Sequence, residues 1–173
     1  NLEIKPEGMV SIVIPPKDNA GVWSTCKHSA REASRYRNCE VIVVDNGSSE
    51  KNGARIERML SQMTPECRFQ YVYEPMEFNF SRMCNMGAAL AKGDYILFLN
   101  DDIEIIQENW LEKMVEKAQL PHVGAVGVKL LYPSSRAIQH AGITNIRPGP
   151  AHTLQYRDDR PDYYFPRQRL VFD

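Results

Sequence analysis

The sequence predicts an α/β fold, an open and mostly parallel sheet flanked by helices, with a C-terminal hairpin. Three observations carry that prediction. Short apolar runs recur with gaps long enough for a helix. Most of the runs are continuous in Val, Ile, Leu and Phe, as strands covered on both faces are. The gaps in turn carry apolar stripes at helical spacing. Strands and helices alternating at roughly 30-residue intervals imply right-handed βαβ units.

"MVSIVIP" (9–15) is the first strand, and Val22, Cys26, Ala30 and Ala33 mark the helix after it. "EVIVVDN" (40–46) is the second, followed by a stripe of Ile56, Met59, Leu60 and Met63. "RFQYVYE" (68–74) is the third. The helix beyond it shows Phe80, Met83, Cys84, Gly87, Leu90 and Ala91 on one side, with Asn79 or Ser81 able to cap its start. Lys92 falls in its last turn and Gly93 where a C-cap glycine belongs. "DYILFLN" (94–100) is the fourth strand, expected to be buried on both faces. Leu111, Met114, Val115 and Ala118 form the inner face of a further helix, with Trp110 as a packing residue. After residue 122, "VGAVGVKLLY" and "RAIQHAGIT" flank "PSS" and read as a hairpin. Beyond Arg147 no periodicity is visible.

With 173 residues the chain is long enough for one well-cored domain and too short for two ordinary ones. Hydrophobic residues at 43% and charged ones at 25% are ordinary globular usage. A net charge of -1 excludes a global field drawing the chain to nucleic acid or an anionic membrane. No apolar run reaches the roughly 20 residues of a membrane helix. The first residues lack the order of a secretory signal, and a start at Asn1 suggests a piece of a longer protein. Cys26, Cys39, Cys67 and Cys84 form no C-x-x-C pair, which argues against a zinc ribbon; free thiols are the simplest reading, and spacing alone leaves a disulfide open.

Polar residues collect where ligands bind in such sheets, just past the carboxyl ends of the strands. Asp18 and Asn19 follow the first strand, Asp45 and Asn46 end the second, and Asn100, Asp101 and Asp102 follow the fourth. Asp45 in "DNGSS" has a plain alternative as a turn and capping residue, and Asp101 and Asp102 could simply open a loop. Their convergence on one rim favours a site. The turn after the first strand, Pro15-Pro16-Lys17-Asp18-Asn19, has neither a G-x-G-x-x-G nor a G-K-[ST] pattern, so backbone amides do not cradle phosphate there. Paired carboxylates holding a divalent metal, Mn²⁺ or Mg²⁺, supply the alternative counter-charge to a diphosphate.

Together, "VSIVIPPKDN", "EVIVVDNGSSE", "NFSRMCNMGAALAKGDYILFLNDDIE" and "AIQHAG" resemble the family 2 glycosyltransferases of the Rossmann-like GT-A fold over about the first 145 residues. The similarity is to bacterial transferases that build surface polysaccharide, often as one domain of a longer chain. It implies an inverting transfer of a sugar from a nucleotide-diphosphate donor, a UDP- or dTDP-sugar, to a glycan or lipid-linked acceptor hydroxyl. By position, Pro15, Lys17 and Asp18 would wrap base and ribose, Asp45 would bond the base, and Arg82 and Asn85 would close over the nucleotide. "NDD" matches the D-x-D signature with Asn100 in place of its first acid. Asp102 would then be the metal ligand and Asp101 would lie near ribose or sugar.

The resemblance further implies a donor-binding part over 1–130 and the start of an acceptor-side half over 131–173, with the general base beyond Asp173. Cytoplasmic location, peripheral to the inner face of the membrane in the full-length protein, is the matching expectation. A non-catalytic nucleotide-sugar-binding module and a sugar nucleotidyltransferase are the alternatives, although "PPKDN" lacks the glycine-rich turn of the latter. His140 in the hairpin reads more readily as structural than as base or ligand, and His28 and His122 as surface residues. The tail "YRDDRPDYYFPRQRLVF" interleaves arginines, aromatics and aspartates, and reads as a loop leading into the acceptor half rather than a nucleic-acid surface.

Overall fold

The computed structural model describes residues 7–16, 34–61 and 68–159. These fall into two compact units, one within Asn1–Gly124 and one within Ala125–Asp173. In the first unit the order is β1 (Val10–Ile14), β2 (Cys39–Asp45), α1 (Glu50–Ser61), β3 (Arg68–Tyr73), α2 (Phe80–Leu90), β4 (Tyr95–Phe98) and α3 (Trp110–Ala118). The four strands form one parallel sheet in the order β3-β2-β1-β4. The first predicted helix, with Val22, Cys26, Ala30 and Ala33, lies outside the described residues, as does Met63.

Alternation along the strands sends successive side chains to opposite faces. Val10, Ile12, Ile14, Val41 and Val43 meet Ile56 and Leu60 of α1 and Trp110, Leu111 and Val115 of α3 on one face. Val13, Ile42 and Val44 meet Met83 of α2 on the other. Those central strands are covered on both sides, which is why they read as continuous apolar runs. Gly87 is the point of closest approach. A Cβ there would stand 2.3 Å from Cγ1 of Val13, so α2 rests its backbone on β1.

Two expectations are corrected. β4 stands, like β3, at an edge of the sheet among the described residues, and its burial alternates, with Ile96 44% and Phe98 50% exposed. An edge strand has no neighbour to bring a helix over its second face, so composition alone misjudged it. Gly93 is not a C-cap glycine. The cap residue of α2 is Ala91, and Gly93 does not have a positive φ. It is required because a Cβ would come within 2.6 Å of the Met9 carbonyl oxygen and 2.8 Å of Ser11 N.

That close approach completes a buried polar knot. Glu40 Oε1 accepts hydrogen bonds from the Ser11 hydroxyl at 2.6 Å and from Lys92 N at 2.7 Å, while Ser11 Oγ accepts one from Gly93 N at 2.8 Å. Glu40 and Ser11 are both buried; their mutual bond joins β1 to β2, and the other two tie those strands to the turn that launches β4. A buried carboxylate is tolerated because donors surround it.

The second unit holds β5 (Leu130–Leu131), β6 (Ile138–His140), β7 (Ile143–Ile146) and β8 (Gly149–His152). β5 and β6 pair antiparallel around the predicted "PSS" turn, although the strands are much shorter than the flanking apolar segments. β7 and β8 form a second hairpin that the sequence reading did not anticipate. Its signal was the "RPG" turn, where Gly149 takes a φ of 135°.

Gly87→Ala should lower the unfolding free energy by about 1–3 kcal/mol through overpacking against Val13, despite alanine's better helix propensity. Glu40→Ala should cost about 1.5–3 kcal/mol by removing an ionised acceptor from the knot. Denaturant titration would show both as lower midpoints with an unchanged slope.

Candidate functional site

All four strands of the first unit run in one direction, so their carboxyl ends share one edge. Asp45 is the last residue of β2 and is fully buried. Its Oδ1 accepts hydrogen bonds from Gly47 N at 3.0 Å and Ser48 N at 2.8 Å. Its Oδ2 accepts one from the Tyr71 hydroxyl at 2.6 Å. Gly47 sits at φ 131°, a conformation that side-chain-bearing residues rarely adopt, and this lets the turn fold back over the carboxylate. The turn-capping alternative for Asp45 is therefore real. Three bonds leave capacity on a group with about four acceptor sites.

Tyr71 reaches Asp45 from β3, two residues short of it in register, through the pairing of Val43 with Tyr71. The helix above leaves room, because a Cβ on Gly53 would come within 3.0 Å of the Tyr71 hydroxyl. Burial first, and then the bond to Asp45, push the Tyr71 phenol well above its ordinary range. Beside it, the buried hydroxyl of Ser48 finds no hydrogen-bond partner among the described residues. Such an orphan at a strand end is unusual and leaves one polar group open to a ligand.

The same turn anchors the next segment. Glu74 N donates to the Asp45 carbonyl at 2.8 Å and Met76 N to the Asn46 carbonyl at 3.1 Å. Asn46 Nδ2 donates to the Met76 carbonyl at 3.4 Å. This brings the start of α2 to the carboxyl edge, where Asn79 Oδ1 caps it by accepting from Arg82 N at 2.9 Å. Arg82 and Asn85 are exposed one turn apart, and neither side chain bonds a described residue.

On the other side of β1, Leu99 N donates to the Val13 carbonyl at 3.0 Å and extends the ladder one residue past β4. The chain then turns at Asp101 and Asp102. Asp101 is half-buried and Asp102 exposed, and the Asp102 carboxylate bonds no described residue. Pro15 is buried directly after β1, while Lys17 and Asp18 lie outside the described residues. The register of β2, β1 and β4 thus brings Asp45 and the 100–102 turn to one edge, with Pro15 between them. Tyr71 and Ser48 were missed because parallel register leaves no trace in a single sequence.

A profile of Glycosyl transferase family 2 matches residues 11–168. The chain belongs to that family. It is 39% identical over 135 residues to the Sinorhizobium fredii protein y4gI, across 78% of this chain and 14% of that one. It is 36% identical over 135 residues to the O-antigen biosynthesis protein RfbC of Myxococcus xanthus, across 78% of this chain and 10% of RfbC. The chain thus spans no more than about a seventh of either relative. The mannosyltransferase PcManGT of Pyrobaculum calidifontis, solved with GDP-Man and Mn²⁺, superposes with a TM-score of 0.62 at 20% identity, covering 70% of this chain and 36% of that one. This family 2 chain has the GT-A fold of that neighbour, as the resemblance implied.

Tyr71→Phe should cost about 1.5–3 kcal/mol, because a buried carboxylate loses a short donor. A phenol whose pKa is raised on folding stabilises fully below its unfolded value, and that contribution is lost as pH rises above about 10. Wild-type unfolding free energy should therefore fall in that alkaline window, and more steeply than in Tyr71→Phe.

Proposed function

We propose that this chain is the donor-binding part of an inverting glycosyltransferase that moves a sugar from a UDP- or dTDP-sugar to a glycan or lipid-linked acceptor in polysaccharide synthesis. The observation that carries this reading is the shared strand edge. Asp45 with the orphan Ser48 hydroxyl stands on one side of β1, and the Asn100–Asp102 turn stands on the other. A base held at the first and a diphosphate at the second would span the crevice between them.

Asp45 has one acceptor position left for a ring N–H, and Ser48 Oγ can donate or accept beside it. Arg82, exposed near the start of α2, offers a fixed positive charge to base or phosphate. Pro15, Lys17 and Asp18 are proposed to close the base side, and Asn85 to follow Arg82.

The donor set at 101–102 suits a hard divalent cation. Two adjacent carboxylates offer only oxygen, and Asp102 is exposed without a described partner. No group of three or more His, Cys, Asp or Glu side chains gathers among the described residues, so phosphate oxygens and water would complete the shell. Asp102 would hold Mn²⁺ or Mg²⁺ and Asp101 would face ribose or sugar. The cation supplies charge stabilisation to a departing nucleoside diphosphate. The relatives' names fit this reading, RfbC as an O-antigen biosynthesis protein and PcManGT as a mannosyltransferase with a nucleotide sugar. Among the described residues no helix is long and apolar enough to cross a membrane.

Calorimetric titration with UDP, dTDP and GDP, with and without Mn²⁺, tests the proposal. We expect metal-dependent binding of UDP or dTDP, weakened at least about tenfold, or roughly 1.4 kcal/mol, in Asp102→Ala. Retained binding in that variant would remove the metal role, and a preference for GDP would overturn the assignment of the base.

A further inference from the structure

Within the second unit, two histidines come into direct contact. Nδ1 of His140 lies 2.9 Å from Nδ1 of His152, with the rings edge to face at 83°. Neither imidazole bonds any other described residue. We infer that His140 and His152 form a binding site for a borderline transition dication such as Zn²⁺ or Ni²⁺, with solvent completing the shell.

The backbone holds both nitrogens in place. His140 ends β6, opposite Leu130. Gly142, at φ 114°, turns the chain into the second hairpin, whose register sets Ile143 opposite His152. Thr153 N donates to the Gly142 carbonyl at 2.9 Å, and the Thr144 and Thr153 hydroxyls meet at 2.9 Å beside it. Two further bonds, Ile138 N to the Arg157 carbonyl and Tyr156 N to the Ile138 carbonyl, each 2.8 Å, hold β6 against the segment that follows β8. A site carried on paired strands is preorganised in a way that two loop histidines are not.

The spacing suits a shared ion. Two metal–nitrogen bonds of about 2.1 Å at a right angle place their nitrogens ~3.0 Å apart, and a tetrahedral angle opens this to ~3.4 Å. The observed 2.9 Å matches the right-angle arrangement and needs only a small opening for the other. Imidazole nitrogen is the ligand such cations favour, in contrast to the oxygen set at 101–102. No described carboxylate bonds either ring to stabilise an added proton. Burial, and then the neighbouring His152, also lower the pKa of His140, which keeps its lone pair available. On binding, the proton carried by one Nδ1 moves to Nε2 of the same ring, and both Nδ1 lone pairs face the ion. The alternative is a simple N–H···N bond with no further role.

Calorimetric titration of the untagged full chain with Zn²⁺ and separately with Ni²⁺ distinguishes the two. The inference expects one site for at least one of the cations, retained in Asp102→Ala and His122→Ala and weakened at least tenfold in His152→Ala and His140→Gln. Because His152 is exposed, its substitution should leave thermal unfolding unchanged, so the test survives if the His140 variant fails to fold. Long-range ¹H–¹⁵N spectra should show the Nδ1 resonances of both rings moving together on titration. Binding that is indifferent to His152→Ala, no binding of either cation, or unmoved Nδ1 resonances would each overturn the inference.

Discussion

A buried carboxylate at the end of β2 organises the carboxyl edge of the sheet. Asp45 cannot sit at zero exposure without donors, and the three it finds come from two elements. Gly47 and Ser48 fold the following turn over it, and Tyr71 ties β3 to it. Backbone bonds from Glu74 and Met76 then fasten the approach to α2 onto the same strand end. At the opposite edge the Ser11–Glu40 pair does the equivalent for β1, β2 and the turn before β4. The sheet is thus tied by polar knots at both ends, with aliphatic packing between them.

This division explains what could be read in advance. The four strands were legible as short apolar runs, the helices at 50–61, 80–90 and 110–118 because their apolar stripes repeat over several residues, and Asn79 because an amide before such a stripe has few other uses. The exposure of Ile96 and Phe98 was not, since composition reports that a strand is apolar and not whether it stands at an edge. Gly93 was misread for a related reason. A glycine three residues past a helix looks like a cap, yet here it makes room for β1. The β7–β8 hairpin went unseen because "ITNI" and "GPAH" bury almost nothing and carry no hydrophobic period.

The candidate site shows the same limit. Residues at the ends of strands could be listed from sequence, and the acids at 45, 101 and 102 were. Their partners could not, because Tyr71 reaches Asp45 only through the register of β2 with β3, and Ser48 stands out only through its lack of a partner. The structure gives Asp45 one duty, holding the turn as a capping residue would, and the proposed function adds a second, an acceptor position for the base. On that proposal a substitution there would disturb fold and ligand together, so Asp102, exposed and without a described partner, is the better handle on binding alone.

The central claim is that Asp45 and the 100–102 turn serve one ligand. Paramagnetic broadening of backbone amides by trace Mn²⁺ tests it most directly. Broadening should begin at Asn100–Asp102, and adding the nucleoside diphosphate should strengthen it there while shifting the amides of Asp45–Ser48. Broadening centred elsewhere, or shifts at the 100–102 turn with none at 45–48, would contradict a shared crevice.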